Sequence, residues 1–224
     1  MDIHEPKPWQ SVRAFLKEYA IIVIGVLTAL AAGQVAEELH WRQAVAEART
    51  AIHEEIAFDN GYFQIRVTAA DCVRGRLDDI DRALTAAEAS GRAEPVPGAA
   101  LFLSAQISDA QWQAARAAQT LAHFPHGELA MLGRYYDNVA TLKTAFLGDE
   151  GEDWRWLADL KAGPHRYAPS DLAQLRYRLR SARWHNAAIA GGTRRLLDLG
   201  SKLGVKPILR DEAKQRQFCT ATGG

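Results

Sequence analysis

The chain lacks an excess of charge of either sign, because 27 Lys and Arg are balanced by 27 Asp and Glu. Domains that bind nucleic acid normally carry a basic face, so this balance argues against such a partner. Runs of Val, Ile and Thr are scarce, whereas the helix-favouring residues Ala, Leu, Arg and Glu are abundant. With 48% hydrophobic residues, the chain can bury a core. The composition predicts an all-α protein.

Motifs for catalysis and metal binding are also missing. The segment "HEEIAFDN", from His53 to Asn60, looks like a zinc-protease helix, but position 57 is Ala where the second His is required. It is interpreted as a solvated helical face. His123 and His126 lack identifiable further ligands. The acidic "GDEGED", residues 148–153, lacks the order of a calcium loop and is interpreted as a solvated loop. We expect no enzyme activity, no metal and no cofactor.

Cysteine is limited to Cys72 and Cys219. Both lie in the large C-terminal part of the chain, which is compatible with folding in an oxidising compartment. Two interpretations stay open at this point, namely a disulfide between the two residues and a pair of free buried thiols.

One charge-free run stands out, from Tyr19 to Ala36. A helix of this length spans about 27 Å, close to the hydrocarbon core of about 30 Å. Trp9 and Tyr19 on one side and Trp41 on the other are aromatics typical of membrane interfaces. The run predicts a transmembrane helix.

Two other interpretations compete with this membrane anchor. A buried core helix of a soluble domain rarely runs for eighteen residues with Thr28 and Gln34 as its only clearly polar side chains, and this run has no polar face. A cleaved signal peptide would use the small-x-small site Ala29–Ala31, and the basic residues Arg13 and Lys17 precede the apolar core. Against cleavage, Glu18 abuts the run and the helical pattern continues beyond the site. The uncleaved anchor is preferred.

The same run has a face of small residues. Gly25, Ala29 and Gly33 recur at intervals of four, a spacing that lets another helix backbone approach closely within a membrane. The alternative is that Ala and Gly are simply frequent here. The pattern predicts helix packing along this face.

Helical periodicity continues after the run. Apolar residues at helical spacing extend to about Ser90 and predict one very long helix or two coaxial ones, with a possible turn at Asp59–Gly61. "GRAEPVPG", residues 91–98, ends this part.

Further helices are predicted in the second half of the chain. One covers Asp109–Phe124, one runs from about Leu129 toward Phe146, and a short one contains "DWRWLADL". A long final helix begins at Ser170 as its N-cap and reaches about Leu203 before Pro207. The predicted fold is therefore all-α, with an N-terminal transmembrane helix continuing into an elongated bundle of about four long helices.

Three stretches carry a resemblance to a family. They are "FLKEYAIIVIGVLTALAAGQVAEELHWRQ" (15–43), "DCVRGRLDDI" (71–80) and "SDAQWQAARAAQTLAHFPHGELAMLGRYYDNVATL" (108–142). Together they resemble an uncharacterised family of bacterial single-pass membrane proteins with a "VIGVLIAL"-like anchor and a helical extramembrane domain. The resemblance implies topology and a helical fold, and it implies no activity.

Orientation follows from basic residues near the ends of the run. They are slightly more numerous before it than after it: Lys7, Arg13 and Lys17 against Arg42 and Arg49. We therefore expect a cytoplasmic segment at 1–18, a transmembrane helix at 19–36 and a helical, periplasmic domain at 37–224 in a bacterial inner membrane.

The expected function is association. The chain is predicted to act as a self-associating or accessory subunit of a membrane complex, with the lipid bilayer and a second copy or another membrane protein as partners. The alternative is a periplasmic ligand-binding or sensing module that signals through a membrane partner. Its pocket would lie among five aromatic residues: Trp112, Tyr135, Tyr136, Trp154 and Trp156.

Overall fold

The computed structural model describes residues 12–97, 99, 107–144, 148–162 and 165–209. Within these residues the protein is all-α, and its only β-type pairing is an isolated bridge between Ala93 and His165. Two 3-10 helices, Thr120–His123 and Ala158–Lys161, connect longer elements. The α-helices are α1 (Val12–Ser90), α2 (Ala110–Ala117), α3 (His126–Leu142), α4 (Gly148–Leu157) and α5 (Pro169–Lys202).

The predicted fold class is confirmed, but the predicted number of long helices is not. Over the described residues, α1 has 79 residues and α5 has 34, whereas α3, α4 and α2 have 17, 10 and 8. The chain divides into two compact units, Met1–Glu47 and Ala48–Gly224.

In the first unit, α1 has no buried apolar stripe over the charge-free run. Apart from Val23, which is half-buried, its large apolar side chains from Tyr19 to Val35 are 54% to 64% exposed. They lie on every side of the helix. One 18-residue window of α1 has a mean hydropathy of 2.0, and none of this window is buried. By length and composition, this helix can cross a membrane.

The second unit has a conventional apolar core. α4 and α3 each pack against α5. One cluster of buried side chains combines a stripe of α1 with residues from α4, α5 and the connecting segments, and it includes Val73, Leu77, Ile80, Leu84, Trp154, Leu157, Leu160, Leu172, Leu175 and Leu179. The stripe of α1 that was predicted from its spacing is therefore the core-facing side of that helix.

The possible turn at Asp59–Gly61 is absent, and α1 passes through it as helix. A Cβ at Gly61 would lie 2.0 Å from the carbonyl oxygen of Ile208, and the Ile208 amide donates to the Ala57 carbonyl at 2.9 Å. A Cβ at Gly200 would lie 2.1 Å from Nδ2 of Asn60. Gly61 and Asn60 therefore do not form a turn. They allow close packing of α1 against α5 and the segment that follows it.

The predicted helix over Asp109–Phe124 is interrupted. α2 ends at Ala117, and Gln119 adopts a left-handed φ of 60° before the 3-10 helix. The chain becomes extended at Phe124, next to Pro125, as expected from the restriction that proline places on its predecessor.

The acidic segment 148–153 was wrongly interpreted as a solvated loop. It forms the first turns of α4, where Asp149 and Glu150 are stabilised near the positive end of the helix dipole. Glu150 and Asp153 are buried. The segment also lacks the side chains that would continue an apolar stripe, so periodicity alone missed the helix.

Both ends of α5 are defined by local chemistry. The N-cap is Ala168 instead of the predicted Ser170, with Pro169 in the first turn and the Ala168 amide donating to Asp171 Oδ2 at 3.2 Å. At the other end, Gly204 has a φ of 76°, and the Val205 amide donates to the Gly200 carbonyl at 2.9 Å. This is a Schellman motif, and Pro207 follows it.

Candidate functional site

One cleft of the second unit lies beside α1. It has a volume of about 550 Å³. No basic side chain is among the described residues that line it, which are Ala51, Glu54, Glu55, Phe58, Asp59, Ile107, Ser108, Asp109, Ala110 and Gln111. One face therefore comes from α1 and the other from the start of α2.

Glu55 is a buried carboxylate with three donors. Its Oε2 accepts from the Ser108 hydroxyl at 2.7 Å and from the Gln111 amide at 3.0 Å, and its Oε1 accepts from the Tyr136 hydroxyl at 2.7 Å. The Gln111 amide belongs to the first turn of α2, which has no intrahelical acceptor. Glu55 thus caps α2 from α1 and fixes one wall of the cleft.

Asp59 lies one turn further along α1 and is far less well satisfied. Its Oδ1 accepts from the Ser108 amide at 3.2 Å, whereas its Oδ2 is buried without a hydrogen-bond partner. Burial, with a contribution from the nearby Glu55 charge, raises the pKa of Asp59 to about 7. Asp59 consequently titrates near neutral pH.

A group of aromatic side chains lies next to Glu55 and Asp59. Trp112 stacks on Tyr136 with ring centroids 4.8 Å apart, and Tyr135 meets Tyr136 edge-on at 5.4 Å. The Tyr135 hydroxyl donates to Asn60 Oδ1 at 3.1 Å. Burial raises the pKa of both tyrosines, so both stay protonated and act as donors.

A second group of buried charges joins α1, α4 and α5. Arg66 pairs with Glu150 at 2.6 Å, and both side chains are almost completely buried. Arg66 Nε and Glu150 Oε2 have no hydrogen-bond partners. Asp153 accepts from Arg178 at 3.3 Å and lies 2.9 Å from His185 Nδ1. These pairs are structural cross-links among the three helices.

The second group does not form a catalytic triad. Ser181 Oγ and Asp153 Oδ2 both approach the same ring nitrogen of His185, at 3.4 Å and 2.9 Å. A triad needs the nucleophile and the acid on opposite nitrogens. Among the described residues, no group of three or more His, Cys, Asp or Glu is arranged to hold a metal ion, and this holds for His123 and His126.

The residues predicted for the membrane run keep their expected register. Gly25, Ala29 and Gly33 lie on one face of α1, and within the described part of the chain a Cβ at either glycine would meet nothing within 4 Å. Tyr19 is exposed and Trp41 is half-buried, whereas Trp9 lies outside the described residues. Packing along this face stays a prediction.

Only one cysteine of the predicted disulfide lies among the described residues. Cys72 lies on α1, is half-buried and is engaged in a disulfide bond. Its predicted partner Cys219 lies outside the described residues, so the pairing of the two stays a prediction.

The five aromatic residues proposed for a pocket are not brought together. Trp112, Tyr135 and Tyr136 form one group, with both tyrosines buried. Trp154 belongs to the apolar core cluster, and Trp156 is exposed beneath the guanidinium of Arg178. A pocket lined by all five is therefore excluded.

Sequence reasoning missed Glu55 and Asp59 because it placed "HEEIAFDN" on a solvated face. The information was present in the spacing. Glu55 follows Ile52 by three residues, and Asp59 follows Ile56 by three. Both carboxylates therefore lie on the buried face of α1 that Ile52, Ile56 and Phe63 form. A carboxylate in an apolar register is a signal of a buried polar site.

Comparison with protein-family models, with curated proteins and with solved structures gave no match to this chain. The resemblance to single-pass bacterial membrane proteins therefore stays a prediction.

Proposed function

We propose that this protein is a single-pass membrane protein that acts by association, as a self-associating or accessory subunit of a membrane complex. In this proposal residues 19–36 cross the bacterial inner membrane, 1–18 are cytoplasmic and the domain from 37 onward is periplasmic.

The observation that carries the proposal is the exposed apolar surface of α1 in the first unit. The exposed side chains include Ile21, Ile22, Ile24, Leu27 and Leu30. Burying one such side chain stabilises a protein by about 1.5–3 kcal/mol relative to leaving it in water. Contiguous apolar surface of this kind normally marks contact with lipid or with another protein. A bilayer removes the whole surface from water at once.

The second unit supports the periplasmic placement. Cys72 is disulfide-bonded, and disulfides persist in oxidising compartments. Arg13 and Lys17 precede the apolar run, and basic residues favour the cytoplasmic side.

Association is proposed to use the small-residue face of α1. Within lipid, apolar attraction between helices is no stronger than attraction to acyl chains, so close backbone packing at small residues decides which faces meet. Gly25, Ala29 and Gly33 offer such a face, and no atom of the described residues lies within 4 Å of a Cβ placed at either glycine.

A membrane two-hybrid reporter tests this step with a matched pair of variants. Gly33→Leu places a bulky side chain on the face, whereas Ala31→Leu adds a leucine on the opposite side of the same helix. We expect Gly33→Leu to lower the association signal and Ala31→Leu to leave it unchanged, at equal expression. Equal signals from the wild type and Gly33→Leu would remove this face from the proposal.

A further inference from the structure

Asp59 combines two properties that are unfavourable for the isolated protein. It is only 2% exposed, and its Oδ2 receives no hydrogen bond. A buried acceptor without a donor costs about 1–3 kcal/mol, and more for a charged group. Most such groups in proteins have a partner. Asp59 Oδ2 can therefore accept one hydrogen bond for which the described part of the chain supplies no donor.

The cleft that Asp59 lines selects for positive charge. Its lining includes four carboxylates, Glu54, Glu55, Asp59 and Asp109. Glu55 is occupied by its three donors, and Asp109 accepts from Lys143 at 2.9 Å. Of the other two, Glu54 is exposed, and Asp59 is buried with one oxygen that receives no hydrogen bond.

Apolar groups beside Asp59 favour an organic cation over a metal ion. Phe58 is 40% exposed on this face, and Ala51 and Ile107 complete an apolar wall. A divalent metal would need several oxygen ligands at close range, and no such group exists among the described residues. An alkyl chain, in contrast, can contact the exposed part of Phe58 and the apolar atoms of Ala51 and Ile107.

We propose that this cleft binds a small organic amine, whose primary ammonium group donates to Oδ2 of Asp59 while its alkyl chain contacts Phe58 and Ala51. This site is independent of the membrane run and of the proposed association face, so it can fail while those hold.

Proton competition gives the site a recognisable signature. The groups that face Asp59 are Glu55 on the same helix, Asp109 before α2 and Lys143 after α3. Burial and the two acidic neighbours favour the protonated form of Asp59, whereas Lys143 and the Ser108 amide favour the ionised form. An ammonium ion binds the ionised form. Binding must therefore displace the proton and weaken as the pH falls.

Isothermal titration calorimetry of the full chain in detergent micelles tests the site, with 1,4-diaminobutane as the probe. We expect saturable binding at pH 8 and an affinity about tenfold lower at pH 6, since the pKa of Asp59 is about 7. The neutral analogue 1,4-butanediol and the tetramethylammonium ion, which has no N–H donor, should not bind measurably.

Two variants with the same change in charge separate the site from general electrostatics. Asp59→Asn keeps the shape and the acceptor for Ser108 and should lower the affinity for the diamine by about tenfold or more. Asp79→Asn removes an exposed carboxylate elsewhere on α1 and should not change it. Circular dichroism of both variants checks that the helices are intact.

Several outcomes would overturn the proposal. They are unchanged affinity in folded Asp59→Asn, affinity independent of pH between 6 and 8, equal binding of tetramethylammonium, and absence of saturable binding by the diamine.

Discussion

The two units of this protein use the same long helix in opposite ways. In the first, α1 exposes isoleucines and leucines on every side, and in the second it buries Ile52, Ile56 and Phe63 completely. Both stretches are helical and apolar. The difference lies in the charged residues, which are absent from Tyr19–Ala36 and lie mainly away from the buried stripe in the second stretch.

The two units also differ in the burial of their ion pairs. In the first unit Arg42 pairs with Glu38 on the surface, where both side chains are more than half exposed. In the second, Arg66 and Glu150 pair out of contact with water. An exposed pair contributes less than about 1 kcal/mol, whereas removal of one partner from a buried pair costs about 3–5 kcal/mol.

The largest expected effect is therefore on the buried pair. Arg66→Met should lower the free energy of unfolding by about 3–5 kcal/mol, because Glu150 is left buried without a counter-charge. The matched variant Arg42→Met should lower it by less than about 1 kcal/mol. Denaturant titration of the full chain in detergent measures both.

A double variant tests the physical reason. In Arg66→Met with Glu150→Leu, no charge is left unpaired, and most of the lost stability should return. If the double variant is as unstable as the sum of the two single variants, burial of a lone charge is not the cause.

A second prediction concerns pH and has no counterpart in the first unit. The pKa of Asp59 is about 7 in the folded protein and 3.8 as the ordinary value. The folded state therefore holds the proton of Asp59 more tightly than the unfolded state does. This proton binding stabilises the folded state fully below pH 3.8, and the stabilisation is lost as the pH rises through 7.

The comparison of wild type with Asp59→Asn isolates that contribution. Between pH 4 and pH 8, the wild type should lose up to about 4 kcal/mol of unfolding free energy relative to the variant. The measurement is a series of denaturant titrations at fixed ionic strength without amine. A constant difference between the two proteins across this range would show that Asp59 does not change its protonation there.

The smallest expected effect comes from removal of one methylene. Ile56 is fully buried, and Ile56→Val should cost about 0.5–1.5 kcal/mol. Ile24→Val lies in the exposed run and should leave the stability of the second unit unchanged. Equal losses from the two substitutions would contradict the distinction between a protein core and a lipid-facing surface.

Much of the fold was predictable from local patterns. The α1 stripe of Leu77, Ile80 and Leu84 and the end of α5 before Pro207 follow from spacing and from turn chemistry. The continuity of α1 through Asp59–Gly61 was one of two predicted alternatives. The close approach of Ile208 to Gly61 was not predictable, because the two residues are distant in sequence.

The candidate site was hidden for a related reason. Glu55 and Asp59 are buried by Ser108 and Tyr136, which lie on other elements, so their environment depends on tertiary packing. The same applies to Glu150, whose partner Arg66 is 84 residues away along the chain. A carboxylate in the register of an apolar stripe is the one local sign of such burial.

The most direct measurement for the central proposal is alkaline carbonate extraction of bacterial membranes containing the full chain, followed by flotation. We expect the wild type to stay with the lipid and to keep an intact N-terminus. We expect Leu27→Arg to shift much of the protein to the soluble fraction, since a charge at the centre of a span costs about 2.5–3.5 kcal/mol. Quantitative release of the wild type by carbonate, or loss of residues 1–31, would contradict the anchor.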